Sequence, residues 1–335
     1  MMTSRRALLT SAAATAVSAA LAACSRDAPP SLEATGTSTA QPVLDSERLT
    51  AVLERIQSGM DAADAQKKTE LLNGYLTGPA ARVRTEEYAV ATATNDDTEI
   101  DHFTTDSQAG TVGLTTDFPR IALTLTEADE TNVPYLLALT QGTARENFEL
   151  WAWVRLFPGV EVPSTNTASV GSAQVDADAD GLVATPQEVL NAYIDALNNP
   201  DGDNVKAFAD EELRRYIAAR RSLDVSAAGE VSVTASPGGD GFRGLRTTDN
   251  GAIVFTTLTF DVLYKRTVAR SKYNVQEQVA AMLGENTDVV GTVTASHEAV
   301  VAFSIPVAAS GSQAVTLGTV HVLTSVTRDD SQSPD

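Results

Sequence analysis

The sequence predicts an α+β fold in two tandem domains, each with N-terminal helices packed on a curved antiparallel sheet. Three observations carry that expectation. Apolar residues recur at helical spacing just after residue 45 and again just after residue 185. Each helical stretch is followed by segments that alternate apolar and polar residues. The two series are offset by about 140 residues, with Leu49 and Val189 in matching places. Helices first and strands after is the order of a domain that gathers its helices on one face of an antiparallel sheet. Residue identity between the halves is weak, so the duplication rests on order and spacing alone.

The first domain is expected over 45–163. Leu49, Val52, Leu53, Ile56 and Met60 form one helical stripe, with Asp45 or Ser46 as its cap. A second helix is expected over 67–76, stopped by Thr-Gly-Pro at 77–79, and a third, shorter one over 79–91. Strands follow. Ile121, Leu123 and Leu125 alternate with Ala122, Thr124 and Thr126, and two further runs at 133–141 and 147–157 flank a turn-like Gly-Thr-Ala-Arg-Glu-Asn.

A Ser-, Thr- and Asp-rich linker is expected over 164–184, then the second domain over 185–328. Thr185, Pro186 and Glu188 spell a capping box with proline at the first helical position. Val189, Leu190, Tyr193, Ile194 and Leu197 make the apolar face behind it. A second helix is expected over about 205–221. Strands are expected next: Glu230–Ala235, a hairpin turning at Asp249-Asn250-Gly251, and runs at 252–264, 298–307 and 316–326. Residues 266–297 read as an insertion holding a short helix capped by Asn274 and Glu277, and 329–335 as a disordered tail. A loop of that length inside a compact domain is functional or mobile.

The only cysteine, Cys24, follows a positive segment containing Arg5 and Arg6 and an uncharged run of seventeen residues, 7–23. That is the layout of an export signal, too short and too rich in Ala, Ser and Thr for a stable membrane span. Leu21-Ala22-Ala23-Cys24 resembles a bacterial lipobox. The resemblance implies cleavage of 1–23, diacylglycerol on the Cys24 thiol, acylation such as palmitate, and an anchor on the extracytoplasmic face of the cell membrane. Two acyl chains hold stably where one holds only reversibly. Ser4-Arg5-Arg6-Ala7-Leu8-Leu9 resembles a twin-arginine motif, departing from it at Leu8 and Thr10; a plain two-arginine segment for the general route is the alternative. Residues 24–44, rich in Pro, Ser, Thr and Gly, read as lipidated cysteine plus tether.

The charge balance excludes classes of partner. Without Arg5 and Arg6, 22 basic residues face 44 acidic ones, a net charge of about −22 that repels nucleic acid and anionic lipid head groups. With Cys24 lipidated no disulfide is available, so burial must hold the cores; 43% hydrophobic residues suffice for that.

Helices followed by a meander sheet, twice, resemble the cone-shaped fold of nuclear transport factor two and ketosteroid isomerase, whose helices pack on a bent sheet and leave a hollow. Together with the lipobox, the chain is similar to tandem-domain lipoproteins of unknown function in high-GC Gram-positive bacteria. These resemblances imply location and shape, and no reaction.

The chemical motifs weigh little. Asp176-Ala-Asp-Ala-Asp-Gly181 imitates the start of a calcium loop, but Gln187 stands where a bidentate Glu belongs, and it reads as an acidic linker. Gly239 to Gly244 satisfies G-x-G-x-x-G, yet a hairpin and not a helix follows, so it reads as a turn. Histidines stand only at 102, 297 and 321, none at ligand spacing to another His or Cys, and His321 reads as a packed or rim residue. No catalytic residue, metal or cofactor is expected.

Trp151 and Trp153 share one strand face and are expected in the core or between domains, with a ligand hollow as the alternative. Lys265, Arg266, Arg270 and Lys272 gather positive charge beside the insertion, as a solvated patch or a contact for a wall polymer or envelope protein. The expectation for function is a non-catalytic binding or assembly role in the cell envelope. The alternatives are a carrier of a small apolar ligand in a cone hollow and an enzyme using a carboxylate pair.

Overall fold

The computed structural model describes residues 39–128 and 133–335. The described part, from Ala40 onward, forms one compact unit that is α+β, with more strand than helix. In chain order it runs β1 (Gln41–Pro42), α1 (Ser46–Asp64), α2 (Gly78–Thr94), β2 (Ser107–Val112), β3 (Leu114–Thr115), β4 (Arg120–Thr126), β5 (Tyr135–Gln141) and β6 (Glu149–Leu156). The second half runs β7 (Gln174–Val175), α3 (Pro186–Asn198), α4 (Glu212–Arg221), β8 (Gly229–Pro237), β9 (Arg243–Arg246), β10 (Ala252–Arg266), α5 (Glu277–Leu283), β11 (Thr292–Ile305) and β12 (Val315–Asp329).

A single antiparallel sheet of ten strands passes through both halves in the order β2-β4-β5-β6-β12-β11-β10-β9-β7, with β8 on the same edge of β10 as β9. The seam is short. Only Gly318 and Thr319 of β12 pair with Leu156 and Arg155 of β6. Gly318 is required there, because a Cβ would stand 2.2 Å from the Arg155 carbonyl oxygen. One core lies under α1 and α2 and borrows Leu245, Phe255, Val300 and Leu317 from the second half; the other lies under α3 and α4 and borrows Val90 of α2. Both are filled by side chains, led by Trp153, Tyr193, Phe255, Phe260 and Phe303.

The caps form as the sequence predicts. Asp45 accepts the Arg48 N–H at 2.8 Å, and Thr185 and Glu188 close their capping box. Several expectations are corrected. Between α1 and α2 only a 3-10 turn, Thr69–Leu72, replaces the helix expected over 67–76, and Lys67 takes a positive φ of 48°. The helix expected over 79–91 runs from Gly78 to Thr94, and the one expected from 205 divides into a 3-10 turn, Asp203–Ala207, and α4.

Residues 164–184 are woven into the fold. Ala168 is buried, Leu114 donates to the Ser172 carbonyl at 2.8 Å, and β7 pairs with β9. Polar composition hides such a segment because its partners come from backbone N–H groups, which carry no sequence signal. Strands β10 and β11 extend into the expected insertion from both ends, leaving 267–291 outside them. Asn274 does not cap α5; its side chain donates to Thr287 at 2.9 Å and Gln276 precedes the helix. The tail is ordered: Asp329 ends β12, and Ser333 and Asp335 both accept from Arg266.

A candidate binding cleft between the two halves

A cleft of about 500 Å³ lies where α2 and the segment after it face α4, α5 and β12. Helix α4 positions Tyr216 and Arg220 on one face, four residues and about one turn apart. The Arg220 guanidinium lies 4.7 Å from the centre of the Tyr216 ring and donates to Glu277 of α5 at 2.9 Å. Beside that ion pair, Gln278 donates to Glu99, so α5 is fastened to both halves along the cleft. Val90, Ile100, Val320 and Leu323 supply apolar wall.

His321 of β12 lines the cleft, and its ring centre is 4.6 Å from that of Tyr216. His297 of β11 lies behind, stacked on Phe260 at 4.4 Å. The Tyr216 hydroxyl meets His297 Nε2 at 3.2 Å, while His297 Nδ1 meets the Ala295 carbonyl at 3.2 Å. A carbonyl can only accept, so the hydrogen-bond network assigns the proton to Nδ1 and makes Nε2 the acceptor of the tyrosine proton. Burial, the neighbouring His321 and Arg220 pull the His297 pKa down to about 3. Burial and Arg220 pull that of His321 down to about 4. Burial raises Tyr216, against the pull of Arg220. At neutral pH both imidazoles are therefore uncharged and the phenol keeps its proton.

The opposite wall belongs to the first half. Glu87 of α2 lines the cleft and pairs with the buried Arg84 at 2.8 Å. Arg84 also donates to the Asp101 carbonyl at 3.0 Å and lies 3.6 Å from Asp64, with Phe103 and Trp153 against its guanidinium. The Asp101 carboxylate accepts from Tyr135 at 2.6 Å and from the Trp153 indole at 3.1 Å. Burial pushes Glu87 up to about 8, against Arg84 and with Asp101 and Asp64. Burial sets the direction, and the single guanidinium of Arg84 offsets only part of it.

The residues singled out in the sequence fall elsewhere. Trp151 and Trp153 are both packed in the first core: Trp153 is wholly buried on Asp101, and Trp151 lies between Gly78 and Arg243, a contact across the halves. The basic group does not act as one patch. Arg266 is buried and holds the Val290 carbonyl, Ser333 and Asp335; this is why it cannot serve as a surface contact. Lys265 pairs with Glu230 at 3.7 Å, and Arg270 and Lys272 are exposed. Arg5, Arg6 and Cys24 lie outside the described residues.

The acidic run 176–181 is turn and bend before α3, with its Asp180 carbonyl accepting from Arg246. Among the described residues no three His, Cys, Asp or Glu side chains are grouped to hold a metal ion. Gly239 and Gly241 precede β9, a strand that contains Gly244. The sequence reading assigns no site role to Tyr216, Arg220, Glu277 or Glu99, because they come from three separate segments and only Tyr216 and Arg220 are linked by local spacing.

Neutral imidazoles, a protonated phenol and an arginine already paired are groups that recognise by hydrogen bonding. Among the described residues no helix is long and apolar enough to cross a membrane. Compared with known proteins, the chain matches no family model, no curated protein and no solved structure.

Proposed function

We propose that the chain is an extracytoplasmic lipoprotein, tied to the cell membrane by a diacylated Cys24, whose folded unit has a non-catalytic binding role in the cell envelope. The Leu21-Ala22-Ala23-Cys24 motif behind its signal-like segment supports the anchor. The cleft between α2, α4, α5 and β12 carries the binding role: it mixes polar and apolar side chains on both walls and is large enough for a small molecule or a peptide side chain. The helices-then-strands order of each half supports reading the unit as two related domains fused through β6 and β12.

Two measurements test this. Cys24→Ala should move the protein out of the membrane fraction, and its retention there would overturn the anchor. Native mass spectrometry of protein released from its own membrane should reveal an adduct that is lost in Arg220→Ala. An adduct that survives Arg220→Ala, or none at all, would overturn the cleft as the binding site.

A further inference from the structure

The corner at which the described chain begins carries an unusual surface. Six large apolar residues among those described are exposed, and three of them stand together here: Leu114 and Phe118, each 36% exposed, and Val170 at 59%. Strand β1 pairs with β3 through Pro42 and Leu114. The turn that carries Val170 closes against both, since a Cβ on the adjoining Gly171 would meet Pro42 at 3.4 Å and Leu114 at 3.5 Å.

Phe118 is held out by a clamped loop. Gln174 donates to the Pro119 carbonyl at 3.1 Å and accepts the Ile121 N–H at 3.0 Å, and Asp117 N–H donates to the Thr115 hydroxyl at 3.0 Å. The Arg120 guanidinium rests 4.4 Å from the Phe118 ring centre, so an aromatic face and a cation are presented side by side. A rigid loop tip that exposes phenylalanine, next to two further apolar side chains, calls for a partner.

We propose that this corner, Leu114, Phe118 and Val170 around β1, lies in the surface of the bilayer to which the chain is tied. The inference rests on the lipoprotein reading of Cys24. Fifteen Cα–Cα steps separate Cys24 from Thr39, a reach of about 50 Å at full stretch, comparable with the diameter of a unit of this size. The corner where β1 begins is thus the one that meets the bilayer with the least extension. Asp45, Glu47 and Asp117 share the corner with Arg48 and Arg120, so it offers no net positive charge to the lipid and apolar burial, which salt does not screen, makes the contact.

The test uses the full-length lipidated protein in vesicles of phosphatidylethanolamine and phosphatidylglycerol. A thioether-linked Cys24 leaves no free thiol, so a cysteine introduced by Thr116→Cys or Val170→Cys takes an environment-sensitive fluorophore alone. Labels at 116 and 170 should shift to the blue and lose several-fold of their quenching by aqueous iodide, in low and high salt alike. A label at Leu223→Cys, another exposed apolar position, should stay fully quenched. Adding Phe118→Ser should abolish the shift at 116. Full quenching at 116 and 170 in vesicle-bound protein, or the same shift at all three positions, would overturn the proposal. Labelling of Cys24 itself, with protein absent from the vesicles, would instead overturn the anchor.

Discussion

In the first half, α2 carries a guanidinium into the core; in the second, α4, β11 and β12 gather neutral rings, of which His297 is buried and Tyr216 and His321 are half-buried. Arg84 is fully buried with Glu87, Asp64 and Asp101 about it, so an ionic cluster with excess negative charge sits under the sheet. Tyr216, His297 and His321 form a cluster that is uncharged at neutral pH. The cleft has one wall from each. The difference teaches that the two halves meet burial of polar groups by different means: a guanidinium set among acidic groups, with Glu87 pushed toward its neutral form, in one, and suppression of all charge in the other.

The sharpest way to break the first solution is to remove its only cation. Arg84→Met leaves Asp64, Asp101 and the buried Glu87 beside one another without a cation, and should cost about 3–5 kcal/mol in urea unfolding. Arg84→Met combined with Glu87→Leu should recover part of that loss, because the pair is replaced by apolar volume. If Arg84→Met alone were neutral, the cluster would not be ionic.

The second test uses pH, since the two clusters predict opposite signs. His297 and His321 titrate near 6.5 when unfolded and far lower when folded, so the unfolded chain binds more protons below pH 6.5. Their contribution is complete above that pH and falls by about 1.4 kcal/mol per pH unit per histidine as pH drops toward 4. Glu87 is raised, so its contribution is complete below its unfolded value of 4.5 and is lost as pH rises toward about 8. His321→Gln should flatten the acid limb of the urea midpoint and leave the neutral limb; Glu87→Gln should do the reverse. Identical pH profiles for wild type and both variants would remove the contrast.

Smaller effects belong to helix α4. Glu211 precedes it and accepts from Leu213 N–H at 2.7 Å, Arg214 N–H at 3.1 Å and the buried Tyr193 hydroxyl at 2.7 Å. Glu211→Ala removes a cap and strands a phenol, an expected loss of about 2 kcal/mol. Since α4 carries Tyr216 and Arg220, the same variant should loosen the second wall of the cleft and not the first, which hydrogen exchange of α2 against α4 would report.

How much of this was legible in the sequence depends on whether the interior of each element is apolar. Helices α1 and α3 stand out because Leu49, Leu53, Ile56 and Met60, or Val189, Leu190, Tyr193 and Leu197, fill their buried faces behind clear caps. Helix α2 was underestimated because Arg84 and Glu87 occupy its buried face and erase the stripe. Strands β4, β10, β11 and β12 follow from alternation and β-branched runs, β4 at its full length; the first part of β11, Thr292–His297, is hidden because small and polar residues fill it, although it pairs with β10 on one side and β12 on the other. The cleft could not be read, since Glu99, Tyr216, Glu277 and His321 share no local pattern and are brought together by the seam at Gly318.

The finest test of the second cluster concerns one proton. Tyr216 donates to His297 Nε2, and that imidazole is only 2% exposed, so no water replaces a lost donor without entering the core. Tyr216→Phe keeps the ring that packs on His321 and removes only the hydroxyl, leaving Nε2 an unsatisfied buried acceptor at a cost of about 1 kcal/mol. Nitrogen NMR of the wild-type ring should show hydrogen on Nδ1 and none on Nε2. In Tyr216→Phe the Nε2 resonance should move toward the value of a free lone pair while Nδ1 stays in place, because its carbonyl partner at Ala295 is untouched. A wild-type ring protonated on Nε2 would turn the tyrosine from donor to acceptor, and the neutral wall of the cleft would present a different set of hydrogen bonds to whatever enters it.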